Sequence, residues 1–457
     1  APFSWNVSPD ATQWAQWQQY TPGAGTAPAS NEDGDIFDDL MEFAMGSDPN
    51  RGVGVTEGLQ LNVAGNSVLA TFTRPVNLSG VSWILERSPD LSQWSNVTGI
   101  PAVTSAGAGK ERVAYSGLQH QSGLSASEGY LRLKVVLQSP SAVSYSLPAG
   151  WKSTAIQPGY RTHGNAFTRK ATYSGKVASQ AVQSVTTVAG SVSGLRDSSA
   201  RYYIEFTSGP AEGHRFDLAA AGSAGKSLVL DFSPEANNSR STLPAGLAGS
   251  QFVVRRHFTV ADVYPPSLFN GGRDPALVDQ LQFFVGNGYD SIFLLDPGDG
   301  SPAFWTSSSN ALLADAGLRI LPPGHGCFIK KNASSSNVMT YGQIRVNQFI
   351  QPLKIGLNML GAPYPKDLSP ATRKMLLVDG FHGDRNPANA DQVQVWTGDD
   401  SATATGFTSY FLLNGGAGST YRYWSVMESA ALTNEDNTVI FHWDRAAFLK
   451  CAGNHAE

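Results

Sequence analysis

Residues 279–283 read Asp-Gln-Leu-Gln-Phe, and the pattern returns at residues 391–395 as Asp-Gln-Val-Gln-Val. Further matching blocks follow in the same order: residues 292–295 with 410–413, Trp305 with Trp424, and residues 328–331 with 448–451. Apolar residues that alternate with polar ones are typical of half-buried strands, and repetition over such a distance indicates a duplicated unit. The sequence therefore predicts two copies of one β unit, residues 271–340 and 341–457.

The rest of the chain also favours short strands over helices. Only 15% of the residues are charged, whereas the 457 residues include 47 glycines and 26 prolines. Runs with strand character, separated by Gly, Asn and Ser, lie at residues 59–63, 68–72, 83–86 and 130–136. We predict an all-β protein with several β-sandwich-like domains: a sandwich over residues 51–140, a further β domain over 141–270, and the duplicated C-terminal region.

An acidic stretch precedes the first predicted sandwich, over residues 31–50. Numbered as a twelve-residue calcium loop, it places oxygen donors at positions 1, 3, 5, 7, 9 and 12, namely Asn31, Asp33, Asp35, the backbone carbonyl of Phe37, Asp39 and Glu42. Position 6, which is glycine in the motif, is Ile36, while Gly34 lies two residues earlier. We therefore predict a Ca²⁺ site with a distorted turn; the alternative is a solvated acidic turn that caps the following helix.

Three segments resemble known sequence families. The calcium loop with the tail at residues 42–49 resembles the loops of dockerins and thrombospondin type 3 repeats, and residues 85–94 resemble a module that accompanies such loops in secreted bacterial proteins. Residues 201–213, 257–265 and 279–329 resemble an uncharacterised family of secreted, β-rich bacterial proteins, over about two-thirds of the chain. The resemblance implies a secreted β protein and brings no catalytic residues. Because the calcium loop occurs once, it indicates a structural staple.

Residues 1–30 form an aromatic leader in which a short helix is predicted. Its aromatic residues are Trp5, Trp14, Trp17 and Tyr20. One interpretation is that they pack on the chain's own next domain. The other, which we carry forward as the candidate interface, is that they dock into a neighbouring subunit.

The two cysteines fall near the last strand of each predicted copy. If those strands pair, a Cys327–Cys451 disulfide would close a loop of more than a hundred residues and stabilise the fold by about 4–5 kcal/mol in the chain-entropy model. An intermolecular bridge through Cys451 is the alternative.

Motifs for catalysis are absent from the sequence. It contains no Gly-x-Ser-x-Gly, His-Glu-x-x-His, Cys-x-x-Cys or phosphate-binding glycine loop, and its acidic residues form no distinctive pair. Trp305 and Trp424 could stack on sugars, although equivalent places in a repeat favour core packing. We therefore predict a non-enzymatic structural protein that forms a filament or surface layer, with a carbohydrate-binding or adhesion protein as the alternative.

Charge and hydropathy limit the partners. A net charge of −5 argues against nucleic acid, and no apolar stretch is long enough to cross a bilayer. The start Ala-Pro-Phe-Ser suits a mature form released from a signal peptide. We expect a secreted or cell-surface protein whose main partner is itself, with surface glycans as the alternative partner.

Overall fold

Antiparallel strands dominate the structure. The structure, a computed structural model, describes residues 13–52, 58–64, 67–120, 127–193, 195, 201–220, 223–233, 236–307, 309, 312–332, 334–399, 406–427, 429 and 431–453. Of these residues 41% lie in strands and 9% in helical turns. The predicted all-β, sandwich-like class is confirmed.

Helices are few and short in this part of the chain. The α-helices are Gln13–Tyr20 (α1), Asp39–Met45 (α2) and Val260–Val263 (α3). Single 3-10 turns lie at Leu118–His120, Gly209–Ala211, Pro266–Leu268, Leu377–Asp379, Pro387–Asn389 and Thr397–Asp399.

The strands are short, as the many turn residues predict. The first eight are Gln60–Ala64 (β1), Ser67–Pro75 (β2), Val81–Ser88 (β3), Ser95–Asn96 (β4), Ala102–Gly107 (β5), Lys110–Tyr115 (β6), Glu128–Leu137 (β7) and Ala142–Tyr145 (β8). The next nine are Ala149–Ile156 (β9), Gly159–Gly164 (β10), Tyr173–Ala181 (β11), Ser184–Thr187 (β12), Tyr202–Phe206 (β13), Arg215–Asp217 (β14), Ser227–Val229 (β15), Gln251–Arg256 (β16) and Phe258–Thr259 (β17). The others are Gln280–Phe284 (β18), Tyr289–Leu295 (β19), Phe304–Ser307 (β20), Ile320–Leu321 (β21), Gly326–Lys331 (β22), Ser336–Gln343 (β23), Gly356–Gly361 (β24), Gln392–Trp396 (β25), Phe407–Asn414 (β26), Arg422–Val426 (β27) and Ala446–Cys451 (β28).

Contacts divide the chain into two compact units that do not follow sequence order. The first unit comprises Ala1–Lys152, Thr168–His257 and Tyr341–Ile350. It contains a four-stranded sheet in the order β1-β2-β6-β5 and a six-stranded sheet in the order β14-β13-β16-β11-β12-β15. A further sheet has the order β23-β9-β7-β3-β4, with β8 paired to β7; of β9 and β23, only Ala149–Lys152 and Tyr341–Gln343 belong to this unit.

The second unit comprises Ser153–Phe167, Phe258–Thr340 and Gln351–Glu457. Its two five-stranded sheets have the orders β10-β22-β18-β19-β20 and β24-β28-β25-β26-β27. Their registers correspond, since Gln280 lies opposite Lys330 in one and Gln392 opposite Lys450 in the other. The blocks matched in the sequence thus fall on equivalent strands.

Both tryptophans of the matched blocks are fully buried. The indole nitrogen of Trp305 donates to the carbonyl oxygen of Tyr264 at 2.8 Å, and that of Trp424 to the carbonyl oxygen of Met375 at 2.6 Å. Each ring is therefore the centre of a core and is unavailable as a sugar-stacking platform.

A network of buried charges crosses the six-stranded sheet of the first unit. Glu205 on β13 accepts from the guanidinium of Arg345 at 2.6 and 3.2 Å, and both side chains are almost completely buried. Asp217 on β14 accepts a hydrogen bond from Nε2 of His257, the residue after β16, at 2.9 Å. The guanidinium of Arg255 contacts Gln343 close by. These groups join β13, β14 and β16 to the segment Tyr341–Ile350.

Three polar side chains form a buried chain in the second unit. The Nδ1 atom of His163 lies 2.8 Å from the hydroxyl of Tyr264, which lies 3.1 Å from the sulfur of Cys327. The corresponding places of the other five-stranded sheet hold Leu360, Met375 and Ala447, as judged from strand register and the tryptophan contacts. Equivalent positions therefore fold with either polar or apolar side chains.

We expect the burial of His163 to make the protein less stable in acid. Burial lowers the pKa of His163 from 6.5 to about 4, against a smaller opposing effect of Asp444. Between these values the unfolded chain binds a proton that the folded chain does not, so the free energy of unfolding falls as the pH drops from 6.5 to about 4. Urea unfolding at pH 7.5 and 4.5 should show a smaller pH effect for His163→Gln than for the wild type.

The matched control is the same substitution at the exposed His325, which should leave the pH effect unchanged. Equal pH effects in the wild type and His163→Gln would contradict the prediction.

Candidate metal centre

The helix α2 fixes the carboxyl-terminal half of the acidic loop. Asp38 caps it, because its side chain accepts a hydrogen bond from the backbone of Met41 at 2.8 Å. Gly46 ends it in the left-handed conformation with φ of 62°. Asp39 and Glu42 stand three residues apart, so their side chains project from neighbouring positions on one side of the helix.

The turn of the loop is made by Gly34 and not by position 6. Gly34 has φ of 72°, and a Cβ atom there would lie 2.7 Å from the side chain of Lys176. Only glycine meets both requirements without strain. Ile36 instead donates its backbone N–H to the hydroxyl of Ser174 at 3.3 Å. The departure from the motif therefore shifts the turn by two residues.

Three carboxylates of the loop converge. One oxygen each of Asp33, Asp35 and Glu42 lies within 4.8 Å of the others, and the residues are only 3, 5 and 1% exposed. This is the only such group of His, Cys, Asp or Glu among the residues that the structure describes. The arrangement could hold a metal ion.

Hydrogen bonds orient the side chains of the loop, but some of the side-chain oxygens accept none. The backbone N–H of Asp35 donates to Asp33 at 3.1 Å, that of Phe37 donates to Asp35 at 2.6 Å, and that of Gly25 donates to Asp39. Within the described part of the chain, four buried oxygens accept no hydrogen bond: Asn31 Oδ1, Asp33 Oδ2, Asp39 Oδ1 and Glu42 Oε1. Buried polar atoms rarely lack a partner, so this set points to a ligand.

The loop carboxylates are electrostatically unfavourable as a group. Burial is the main cause that raises the pKa of Asp33 to about 6; the charges of Asp39 and Asp48 also raise it, whereas the hydrogen bond from the Asp35 backbone and the charge of Lys176 lower it. Burial, followed by the charges of Asp35, Asp33, Asp39 and Asp48, raises the pKa of Glu42 to about 10. A bound cation would offset both the burial and the mutual repulsion.

Burial likewise raises the pKa of Asp39 to about 6, despite the hydrogen bond from Gly25. The donor set contains oxygen only, with several carboxylates and an amide, and this suits a hard cation rather than a transition metal. Phe37 stands between Asp35 and Asp39 in the sequence, and its side chain is buried. Its backbone carbonyl remains a predicted ligand, as the spacing of the loop indicates.

Asp48 is a charged neighbour that the loop numbering leaves out. It lies in the tail six residues after Glu42, is exposed, and raises the pKa of both Glu42 and Asp33. In the sequence, Asp48 belongs only to the tail that carries the resemblance to dockerin-type loops. Its position suggests that the tail folds back towards the carboxylates.

Two aromatic residues of the leader are buried within their own chain. Trp14 and Trp17 are 2 and 6% exposed and pack on Phe43 of α2, with ring centroids 5.3 and 5.7 Å away. The predicted subunit joint is therefore wrong for these two residues, because their apolar surface is already used. Tyr20 is 65% exposed, and Trp5 lies outside the described residues.

The predicted disulfide is not formed. Cys327 and Cys451 are free and buried, and they belong to different core clusters of the second unit. The two equivalent strands β22 and β28 lie in separate sheets and do not pair with each other. The premise of strand pairing, on which the bridge depended, is therefore wrong.

No protein-family model matches the sequence, and no curated protein is significantly similar to it. No helix in the described residues is long and apolar enough to cross a membrane.

Proposed function

We propose that the loop from Asn31 to Glu42 binds Ca²⁺ and that the chain is a secreted, non-enzymatic structural protein, a subunit of an extracellular self-assembling filament or surface layer. The observation that carries the calcium assignment is the set of four buried oxygens without hydrogen bonds in an acidic loop of calcium-loop spacing. Calcium takes six to eight oxygen ligands, whereas Mg²⁺ requires a strict octahedron and retains water. A donor-rich loop of this kind favours calcium.

Calcium would stabilise a junction within the first unit. The loop contacts β11 through Ser174 and Lys176, which are distant in sequence. The helix α2 that follows accepts a hydrogen bond from the indole of Trp83 on β3, at the carbonyl of Ala44 and 3.2 Å. An ion in the loop would therefore stiffen the attachment of α2 to two sheets, which is the role of a staple and not of a sensor.

The assembly role is supported by the composition of the chain and by its open sheet edges, and not by the aromatic leader. The chain combines a low content of charge with strands at open sheet edges, a combination that favours edge-to-edge association. The corresponding registers of the two five-stranded sheets support a duplicated building block. The carbohydrate-binding alternative loses its two candidate platforms, because Trp305 and Trp424 are fully buried.

Electron microscopy of the purified chain tests this function. We expect ordered filaments or layers at millimolar calcium, and their loss in excess chelator, because an unfilled acidic loop would loosen the junction. The double variant Asp33→Asn, Asp35→Asn should behave in calcium as the wild type does in chelator. Dispersed monomers in both conditions would contradict the assembly role. Identical polymers in both conditions would show that assembly does not depend on calcium.

A further inference from the structure

We infer that the edge strand β5, Ala102–Gly107, is a self-association surface that pairs antiparallel with the same strand of a second copy. This inference rests on the proposed function, since it names the contact through which copies of the chain meet. Strand addition of this kind is made by backbone hydrogen bonds and continues an existing sheet.

The position and exposure of β5 are the first observations. It is the last strand of the sheet β1-β2-β6-β5, and among the described residues no other strand pairs with its outer edge. All six of its residues are exposed. Among the described strands, only the two-residue β4 is also exposed along its whole length. The preceding Ile100 is 99% exposed and Val103 is 46% exposed. A row of backbone groups is thus open beside apolar side chains.

The charged side chains that usually protect a sheet edge are missing here. Natural edge strands carry lysines, inward-pointing charges, prolines or bulges that prevent pairing. No charged residue occurs from Leu91 to Gly109, and Pro101 precedes the strand. The one irregularity is a register shift between Ser105 and Gly107, next to the hairpin turn, so the stretch from Ala102 to Ser105 is regular.

The absence of charge suits a second copy of the chain as the partner. Two copies that meet through this strand place no like charges against each other, whereas a charged peptide would gain nothing from it. The side chains of β5 are small, from alanine and serine to valine, so the strand can lie opposite itself without a steric clash. A two-fold arrangement of this kind is isologous and closes as a dimer.

The contact should be weak by itself. A strand of six residues is about 20 Å long and forms an interface well below the roughly 1,200 Å² of a stable complex. The dimer is therefore expected at high protein concentration, and within an assembly it would act together with further contacts.

Ser105→Lys is the variant that tests the inference. Ser105 is exposed and lies opposite Glu111 on β6, which pairs with Arg74 at 2.7 Å, so the lysine meets no like charge directly opposite it in the monomer and the hairpin is retained. On the free edge it places a charge at the pairing surface of each copy. The matched control is Ser79→Lys, the same change at an exposed turn between β2 and β3.

Sedimentation over a concentration series should show a reversible dimer for the wild type and Ser79→Lys, with dimerisation about tenfold weaker or more in Ser105→Lys. Hydrogen exchange at high concentration should protect the peptides that cover residues 100–107 selectively. A wild type that stays monomeric, or a Ser105→Lys variant that dimerises as the wild type does, would overturn the inference.

These outcomes are separable from those of the proposed function. Dimers through β5 without filaments or layers would support the strand contact and contradict the structural role. Filaments that persist unchanged in Ser105→Lys would support the role and overturn the strand contact.

Discussion

Glu42→Gln is expected to abolish most of the stabilisation that calcium gives to this protein. At about 10 mM calcium, a site with an affinity of about 10⁻⁴–10⁻³ M adds about 1.4–2.7 kcal/mol to the free energy of unfolding. Glu42 occupies the position of the bidentate ligand, is 1% exposed, and has one oxygen without a hydrogen bond among the described residues. The amide has nearly the same shape but cannot supply the charge, so most of the calcium response should disappear.

Urea unfolding with calcium and with chelator measures the effect. The matched control is Glu32→Gln, the same chemical change at an exposed position of the same loop that the spacing does not assign as a ligand. It should keep the calcium response of the wild type. Because the raised pKa keeps Glu42 protonated in the absence of calcium, and the amide has nearly the same shape as that neutral acid, the calcium-free protein should still fold. A full calcium response in Glu42→Gln would exclude this loop as the calcium site.

Glu205→Ala should destabilise the first unit by about 3–5 kcal/mol, because it leaves the buried guanidinium of Arg345 without its carboxylate. Burial alone would raise the pKa of Glu205, but the guanidinium groups of Arg345 and Arg255 outweigh it and hold the pKa below its ordinary value. The stabilisation is therefore present above the unfolded pKa and is lost as the pH falls through the lower folded pKa.

The contrast is an ion pair near the surface. Glu128 accepts from Lys152 at 2.7 Å, but the two side chains are 26 and 19% exposed. Glu128→Ala should cost less, about 1–2 kcal/mol, since solvent screens this ion pair and the variant removes in addition the hydrogen bond from the hydroxyl of Tyr130. The test is to measure the free energy of unfolding of Glu205→Ala and of Glu128→Ala. Equal losses would mean that the buried network contributes no more to stability than a pair near the surface.

The candidate site could be predicted from the sequence because its donors are local. Spacing alone brought Asp33, Asp35 and Glu42 together, since a short loop running into a helix has few ways to arrange them. The place of the turn was less predictable. Ile36 at position 6 indicated distortion, but the left-handed residue is Gly34, and it is required there by the approach of Lys176 from a distant strand.

Contacts between residues that are distant in sequence could not be predicted. Glu205 and Arg345 are 140 residues apart, and no local pattern marks either as buried. The leader shows the same limit: the spacing of Trp14 and Trp17 predicts an apolar helix face, but it does not tell which surface covers that face. The strands were predictable from alternation, whereas the pairing of β22 and β28 with their neighbours decided the state of the cysteines.

The two free thiols have a use as natural reporters. Cys327 lies in one five-stranded sheet and Cys451 in the other, and burial raises the pKa of each to about 12. Thiol reagents attack the thiolate, so neither sulfur reacts appreciably while its sheet is closed. The rate at which each cysteine is labelled under native conditions therefore times the opening of its own sheet. The opening of each of the two sheets can therefore be followed separately through its own cysteine, without an added probe or an engineered residue.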